Sequence, residues 1–524
     1  MAALVLMVVL GATVLVGTIL GGRYRVAPPI LLIGFGALLA LLPPLSHVVL
    51  RPDVVLLLFL PAILYREALT LSLREIRANL PAISLLAVAL VVVTMVTVSL
   101  TAQAFGLDPA AAWVLGAVLA PTDAAAVAGL AKRLPVRFLT ILRAESLIND
   151  GTALVLFAVT LGLFAEGVVP GPLEAAERFA VSLLGGIAAG LLVGGVAILI
   201  RRYLDDPLPE GALSVLTPFA AFLLADAAHA SGVLAVVVAG LLLSYAGPRV
   251  IRARSRLLAF SFWDLSTFLI NGGLFVILGM QIPRAVRSVA PVAGRAVAIA
   301  LAVVAVVVGT RMAWIYLATA LLNVVDRRRS QAGLRVGWRI RTAAGWAGFR
   351  GAVSLAAALA VPLTTATGKP VEERDLIIFC TAVVIVLIML VQGITLPVVT
   401  RWAGLVGDER RRDEVNRARQ RTTEVGLAML PQVAGEVGAT DEVAQRVRDD
   451  YQAHLDEIRA AEEDPASKRE REVERRLRLA VLEHKRHELT RLRNANEIDD
   501  TVLRDLQAAL DIEEVRLLGP TAPE

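Results

Sequence analysis

The chain has 524 residues, 56% of them hydrophobic, and a formal net charge of +5. Its mean hydropathy is +0.69, and apolar runs of about 20 residues recur as far as Leu405, each long enough to cross a hydrocarbon core of about 30 Å as a helix. This composition excludes an ordinary soluble protein and indicates a polytopic membrane protein. The single cysteine, Cys380, excludes an intrachain disulfide, and the five histidines form no metal-binding set.

Thirteen apolar segments are candidate membrane spans. In chain order they are roughly 2–20, 28–45, 53–70, 80–105, 111–131, 138–165, 176–200, 211–228, 230–247, 257–281, 289–322, 341–363 and 375–403. An odd number of spans places the two termini on opposite sides of the membrane. With the N-terminus outside, the inner loops collect about 21 Lys and Arg and the outer loops about 7, so the positive-inside rule predicts a cytoplasmic C-terminus.

Charge divides the chain into two parts. Residues 408–524 hold 21 Lys and Arg against 28 Asp and Glu, whereas residues 1–407 hold 31 against 19. We therefore expect a transmembrane domain over 1–407 and a charged, helical cytoplasmic domain over 408–524. In the second domain, Ser467-Lys-Arg-Glu470 has the spacing of a capping box and predicts a helix from there to about Asn494. The positive charge belongs to the short loops of the membrane part and does not indicate a nucleic-acid partner.

Two spans are interrupted by residues that weaken a helix. The fifth contains Ala120-Pro-Thr-Asp123, and the twelfth contains Gly345-Trp-Ala-Gly-Phe-Arg-Gly351. Irregular backbone at membrane depth occurs only where it is buried in protein or lines a wet cavity. The two spans are equivalent if spans 1–6 and 8–13 form two halves, and paired interrupted helices are typical of a transporter's binding site. Ordinary glycine and proline kinks are the alternative on spacing alone.

The sixth span carries a group of polar residues that predicts an ion site. Glu145, Ser146, Asn149 and Asp150 fall within an arc of about 140° on a helix. Ser146, Asn149 and Asp150 offer a hydroxyl, an amide carbonyl and a carboxylate, the hard oxygen ligands that a small cation prefers. Burial disfavours a charged carboxylate, so a proton competes with a cation at Asp150. Such competition is already a mechanism for exchange.

Further polar residues lie at the two interruptions. Asp123 and Thr122 stand at the break in the fifth span, where Thr122 can add oxygen ligands from its hydroxyl or its carbonyl. Arg350 stands at the break in the twelfth span and needs a buried partner. We expect a structural ion pair between Glu145 and Arg350, because an unpaired charge in low dielectric is costly. Arg311, deep in the eleventh span, is left without an assigned role.

Three residues of other spans have ordinary interpretations. Glu67 lies six residues after Pro61 and directly beside Arg66, a pattern typical of an interfacial ion pair whose charged ends reach water. Asp264 and Asn271 lie in the tenth span, where helix packing or capping explains both.

The combination of motifs closely resembles one family. The segments that carry the resemblance are Leu119-Ala-Pro-Thr-Asp-Ala-Ala-Ala-Val127, Glu145-Ser-Leu-Ile-Asn-Asp150, Ser231-Gly-Val-Leu-Ala with Ala239-Gly-Leu, Phe262-Trp263 with Asn271, Phe275 and Gly279, and Phe349-Arg-Gly-Ala-Val-Ser-Leu355. In order and spacing they resemble the monovalent cation/proton antiporters of the electroneutral sodium/proton exchanger type. The resemblance covers residues 1–405, and the C-terminal part resembles that of the bacterial branch.

The resemblance implies an all-α polytopic fold of two inverted repeats with two crossed, partly unwound helices, commonly dimeric and working by an elevator-like movement of a core domain. It also implies a set of roles, namely cation or proton binding by Asp150, further ligands in Ser146, Asn149 and Thr122, Asp123 at the crossing, and Glu145 paired with Arg350. The acid of the third helix maps to Glu67, although many members place it one residue earlier, where this chain has Arg66. Electrogenic relatives typically have an acid in place of Asn149, so exchange of one proton for one cation is expected here.

We therefore expect a secondary antiporter that exchanges Na⁺ or Li⁺ for H⁺ across the bacterial cytoplasmic membrane and serves pH homeostasis. No cofactor is expected. An enzyme is not expected either, because the sequence shows no nucleophile with a base partner. The expected partners are monovalent cations, protons, the lipid bilayer and a second copy of the chain. K⁺/H⁺ exchange stays open, because oxygen ligands alone do not fix the size of the cation. A cation channel and a transport-inactive membrane sensor are alternatives of another class.

Overall fold

The computed structural model describes residues 2–24, 26–43, 54–71, 73–78, 85–123, 136–166, 172–325, 337–364, 371, 373–405, 409–463, 465–495, 497 and 499–518. These residues are predominantly helical, as the sequence predicts. They form two compact units, Met1–Gly407 and Asp408–Glu524.

The described part of the first unit consists of helices, most of which are apolar. They are α1 (Ala2–Tyr24), α2 (Pro28–Leu39), α3 (Leu60–Thr70), α4 (Leu73–Ala78), α5 (Leu90–Ala104), α6 (Pro109–Leu119), α7 (Val136–Glu166), α8 (Pro172–Arg201), α9 (Pro207–Ala227), α10 (Gly232–Val250), α11 (Ala253–Val289), α12 (Ala293–Val325), α13 (Trp338–Trp346), α14 (Ala352–Leu359) and α15 (Arg374–Trp402). A π-helical segment precedes each of two helices directly: Val55–Phe59 precedes α3, and Leu85–Ala89 precedes α5.

Among the described residues, eight helical stretches are long and apolar enough to cross a membrane. One of them, Ala253–Leu321, contains both α11 and α12, and α2 and α6 are shorter apolar helices. These stretches confirm the predicted multi-pass membrane architecture. The predicted number of thirteen spans stays a prediction, because the ends of several spans, at 44–53, 79–84 and 124–135, lie outside the described residues.

The helices of this unit pack in two groups. In the first, which we call the core group, α5, α6, α7 and α12–α15 contact one another. In the second, the scaffold group, α1, α2, α3 and α8–α11 contact one another. The groups meet where α11 packs on α14 and α15 and where α7 packs on α3, α8 and α10.

Two glycines set the packing of α11 within the scaffold group. A Cβ atom added to Gly279 would overlap the carbonyl of Ile33 on α2, and one added to Gly36 would overlap the carbonyl of Val276 on α11. Small residues let membrane helices approach closely and gain van der Waals contact. The pair therefore fixes the position of α11, the scaffold helix that carries Asp264 and Asn271.

The second unit contains four polar helices. They are α16 (Glu409–Val437), α17 (Asp441–Glu463), α18 (Pro465–Asn494) and α19 (Asp500–Leu518), with α16 packed on α17 and α18 on α19. The helix predicted from Ser467 begins two residues earlier, at Pro465. Proline is favoured in the first turn because the N–H that it lacks has no intrahelical acceptor there.

Candidate functional site

The two interrupted spans cross inside the core group. Helix α6 ends at Leu119, and non-helical backbone continues to Asp123; α13 and α14 are separated by non-helical residues 347–351. The backbone N–H of Asp123 donates to the carbonyl of Phe349 at 2.8 Å. The interruptions that the sequence predicts therefore meet each other and are more than independent kinks.

Arg350 holds this crossing together. Its Nε donates to the carbonyl of Leu119 at 3.0 Å and its Nη1 to the carbonyl of Gly348 at 2.7 Å, and only 1% of the residue is exposed. Leu119 is the last residue of α6, so its carbonyl lacks an intrahelical partner and lies at the negative end of the helix dipole. The guanidinium satisfies that carbonyl and compensates the dipole.

The predicted ion pair between Glu145 and Arg350 is wrong, because Glu145 pairs with Arg311 on α12. Arg311 Nη1 donates to Glu145 Oε1 at 2.6 Å and Nη2 donates to Oε2 at 3.4 Å, and each side chain is 2% exposed. The carbonyls freed by the interrupted helices satisfy Arg350, and Glu145 pairs with a second buried arginine, Arg311. The signal in the sequence was Arg311 itself, a charge in an apolar span for which no role had been found.

A small, partly open cavity lies beside the crossing, between the core group and the scaffold group. Its described lining consists of Ile63, Glu67, Pro121, Thr122, Asp123, Asp150, Asn271, Gly351, Ala352, Val353 and Ser354. Four of the predicted ion-site residues, Glu67, Thr122, Asp123 and Asp150, are thus brought to one place from three separate parts of the chain.

Three carboxylates face this cavity and act on one another. Asp150, on α7, is 4% exposed, and the charges of Glu67 and Asp123 both act on it. Like charges in a poorly solvated site repel, so the site favours an occupant that is positively charged, either a proton or a metal cation. Hard carboxylate oxygens suit a cation of an alkali metal.

Thr122 is positioned by two side chains of α7. Ser146 Oγ donates to the carbonyl of Thr122 at 2.5 Å, and Asn149 Nδ2 donates to Thr122 Oγ1 at 2.6 Å. All three residues are buried, and of the three only Thr122 belongs to the described lining of the cavity. The contacts of Ser146 and Asn149 therefore fix the backbone of the crossing, and direct cation binding by these two residues stays a prediction.

Gly351 allows Asp123 to lie against the crossing. A Cβ atom added to Gly351 would overlap the Asp123 carboxylate. Helix α14 begins at the next residue, Ala352, so this carboxylate lies near the positive end of a helix dipole. A larger residue at 351 would displace an acid that faces the cavity.

Glu67 faces the cavity because α11 holds the two residues that precede it. The ring of Tyr65 packs edge-on against Trp263, with ring centroids 5.3 Å apart. Arg66 Nε donates to Asp264 Oδ1 at 2.6 Å, so Arg66 is paired with Asp264 and not with Glu67. The interfacial interpretation of Arg66 and Glu67 is therefore wrong, and Asp264 is an ion-pair partner. With Tyr65 and Arg66 held in this way, Glu67 is turned toward Asp150.

Two polar residues of the lining, Asn271 and Ser354, are not among the predicted site residues. The sequence predicts helix packing or capping for Asn271, and Ser354 belongs to the motif Phe349–Leu355. Both lie in α-helices of the first unit, and the cavity forms where α11 of the scaffold group faces α14 of the core group. Their polarity in apolar segments was the available signal, but only tertiary structure shows which helix faces meet.

Comparison with known proteins gives matches to one family. A family model described as sodium/hydrogen exchanger, transmembrane, matches residues 11–402. The chain is 54% identical to an uncharacterised Na⁺/H⁺ exchanger of Mycobacterium tuberculosis, over 99% of this chain and 97% of the relative. It is 32% identical to the Na⁺/H⁺ antiporter ApNhaP of Aphanothece halophytica, over 69% of this chain and 67% of the relative.

A solved structure shows the same fold. The sodium proton antiporter MjNhaP1 from Methanocaldococcus jannaschii, determined at pH 8, matches with a TM-score of 0.60 and 19% identity, over 78% of this chain and 100% of that chain. With a family match over most of its length and relatives above 30% identity, the chain belongs to the sodium/hydrogen exchanger family of membrane-embedded cation/proton antiporters.

Proposed function

We propose that this protein exchanges Na⁺, or Li⁺, for H⁺, one for one, and that the two ions compete for Asp150. The observation that carries the proposal is the position of Asp150, a buried carboxylate that shares a cavity with Glu67 and Asp123 beside two crossed, interrupted helices. Of the described acids, these three are the ones that face the cavity.

Competition at Asp150 follows from electrostatics. A buried carboxylate surrounded by two more acids is stabilised by a proton or by a cation, and either one makes binding of the other unfavourable. The vacant, charged carboxylate is then the least favourable form of the site. Alternating access to the two sides of the membrane turns this competition into coupled exchange.

The proposed stoichiometry depends on Asn149. Its amide is neutral and donates to Thr122 Oγ1, so Asp150 is the one acid of the Asn149-Asp150 pair. One proton is then released for each monovalent cation bound, and no net charge crosses the membrane. Exchange should therefore be insensitive to membrane voltage.

The proposed setting is the cytoplasmic membrane of a bacterium, with the N-terminus outside, the residues 408–524 in the cytoplasm and two copies of the chain in the working unit. The bias of Lys and Arg toward one set of loops supports the orientation. Bacterial relatives of the same family support the location.

Inverted membrane vesicles test the proposal. The vesicle interior is acidified, and proton release is followed after addition of Na⁺, Li⁺ or K⁺. We expect release with Na⁺ and Li⁺, none with Asp150→Asn, and normal release with Asp226→Asn, a matched control in which the acid is exposed at the end of α9. A response to K⁺ alone would favour potassium exchange, Na⁺ flux without proton counterflow would favour a channel, and no response to any cation would overturn antiport.

Voltage clamping of the same vesicles with K⁺ and valinomycin tests the stoichiometry. Equal initial rates at zero and at an imposed potential are expected for one-for-one exchange. A rate that changes with the potential would contradict it.

A further inference from the structure

Asn271 on α11 has an unusual environment for a polar residue in a membrane helix. It lines the cavity together with the three carboxylates. Its Oδ1 atom is buried and has no hydrogen-bond partner among the described residues. A buried amide oxygen without a donor is unfavourable unless water or a bound ion satisfies it.

Thr267 shows how a polar side chain with a purely structural role behaves on the same helix. It lies one turn before Asn271, and its hydroxyl donates to the carbonyl of Trp263 at 2.7 Å, within α11 itself. Asn271 Oδ1 can only accept a hydrogen bond, and no donor reaches it in the described part of the chain. Helix packing and capping therefore do not account for Asn271.

The cavity joins oxygen atoms from both helix groups. The core group contributes Thr122, Asp123 and Asp150, and the scaffold group contributes Glu67 and Asn271. An amide oxygen is a hard ligand that carries no charge, so it can hold an alkali cation without adding to the repulsion among the acids. It also leaves the charge count of one-for-one exchange unchanged.

We propose that Asn271 supplies an oxygen ligand to the transported cation from the scaffold side of the cavity and thereby sets the apparent affinity for Na⁺. This inference rests on the proposed antiport. The proposal adds a ligand from α11 to the ligands that the motifs of α6 and α7 supply.

Variants at Asn271 test the assignment. Asn271→Leu keeps the approximate volume and removes the oxygen, whereas Asn271→Asp keeps an oxygen at the same place. Thr267→Val is the control for loss of a polar side chain from the same helix. For each purified variant in proteoliposomes, the initial rate of proton release is measured over a range of Na⁺ concentrations.

A ligand role predicts that Asn271→Leu raises the apparent KM for Na⁺ by about tenfold or more and leaves the maximal rate within about twofold, because ground-state binding is lost. Asn271→Asp keeps the oxygen and adds a charge that attracts the cation, so its KM should not exceed that of the unaltered protein, and Thr267→Val should leave the KM unchanged. An unchanged KM in Asn271→Leu would overturn the assignment. If that variant does not fold, Asn271→Ala carries the same comparison. If the unaltered protein shows no exchange, the result counts against antiport itself. If it exchanges Na⁺ and the Asn271 variants keep its KM, the result counts against the role of Asn271 alone.

Discussion

Removal of Arg311 with Glu145 left in place should destabilise the transmembrane unit severely. Both side chains are 2% exposed, so Arg311→Met leaves the Glu145 carboxylate buried without its ion-pair partner. Loss of one member of a buried pair costs about 3–5 kcal/mol. The structure places this case near the lower end, because one of the two hydrogen bonds is short at 2.6 Å and the other is weak at 3.4 Å.

A double variant distinguishes the contribution of the ion pair from that of the arginine side chain alone. Glu145→Leu combined with Arg311→Met replaces both charges with apolar side chains of similar size and should recover most of the lost stability. The corresponding cycle with Arg350→Met should show much weaker coupling to Glu145, because Arg350 donates to the carbonyls of Leu119 and Gly348. This comparison also tests which arginine is the partner.

The assay is the temperature at which half of the detergent-purified protein is lost from the monodisperse peak in size-exclusion chromatography, at one fixed heating time. Membrane proteins often unfold irreversibly, so the comparison among variants is made under identical conditions. An Arg311→Met variant as stable as the unaltered protein would refute the reasoning. So would a double variant that is no more stable than Arg311→Met.

Three further predictions concern the cavity and the second unit. Gly351→Ala should abolish exchange because its methyl group displaces the Asp123 carboxylate, whereas Gly273→Ala, where an added Cβ meets no atom within 4 Å, should leave exchange unchanged. Glu67→Gln should raise the apparent KM for Na⁺ in the proton-release assay, since it removes one of three charges that attract the cation; an unaltered KM would remove Glu67 from the site. Deletion of residues 408–524 should leave the KM for Na⁺ unchanged, because every described residue of the cavity precedes them; a large change would contradict this.

The sequence was most informative where polar residues and helix-breaking residues stand next to each other within an apolar segment. Asp123 and Asp150 are acids in apolar segments, and Pro121 lies two residues after the end of α6, so the interruption and its acids were predictable from the cost of polar groups in lipid, whereas the crossing of the two helices was implied only by the family resemblance. The membrane architecture followed in the same way, because a long apolar segment in lipid is stable only when its backbone groups are hydrogen-bonded, as they are in a helix.

Pairing between distant charges was not predictable. Arg350 and Arg311 are both buried arginines, and the choice between them depends on which carbonyls the interrupted helices leave free, a property of the folded crossing. Glu67 was ambiguous for a related reason. Its orientation is set by contacts of Tyr65 and Arg66 with α11, about 200 residues away in the chain.

The most direct test of the central claim is the pH dependence of the apparent KM for Na⁺ in proteoliposomes. If Na⁺ and H⁺ compete for Asp150, the KM should rise as the pH falls, approaching tenfold per pH unit under acidic conditions, while the maximal rate at saturating Na⁺ stays constant. A maximal rate that falls with pH at constant KM would show that the proton acts at another place and would contradict the account.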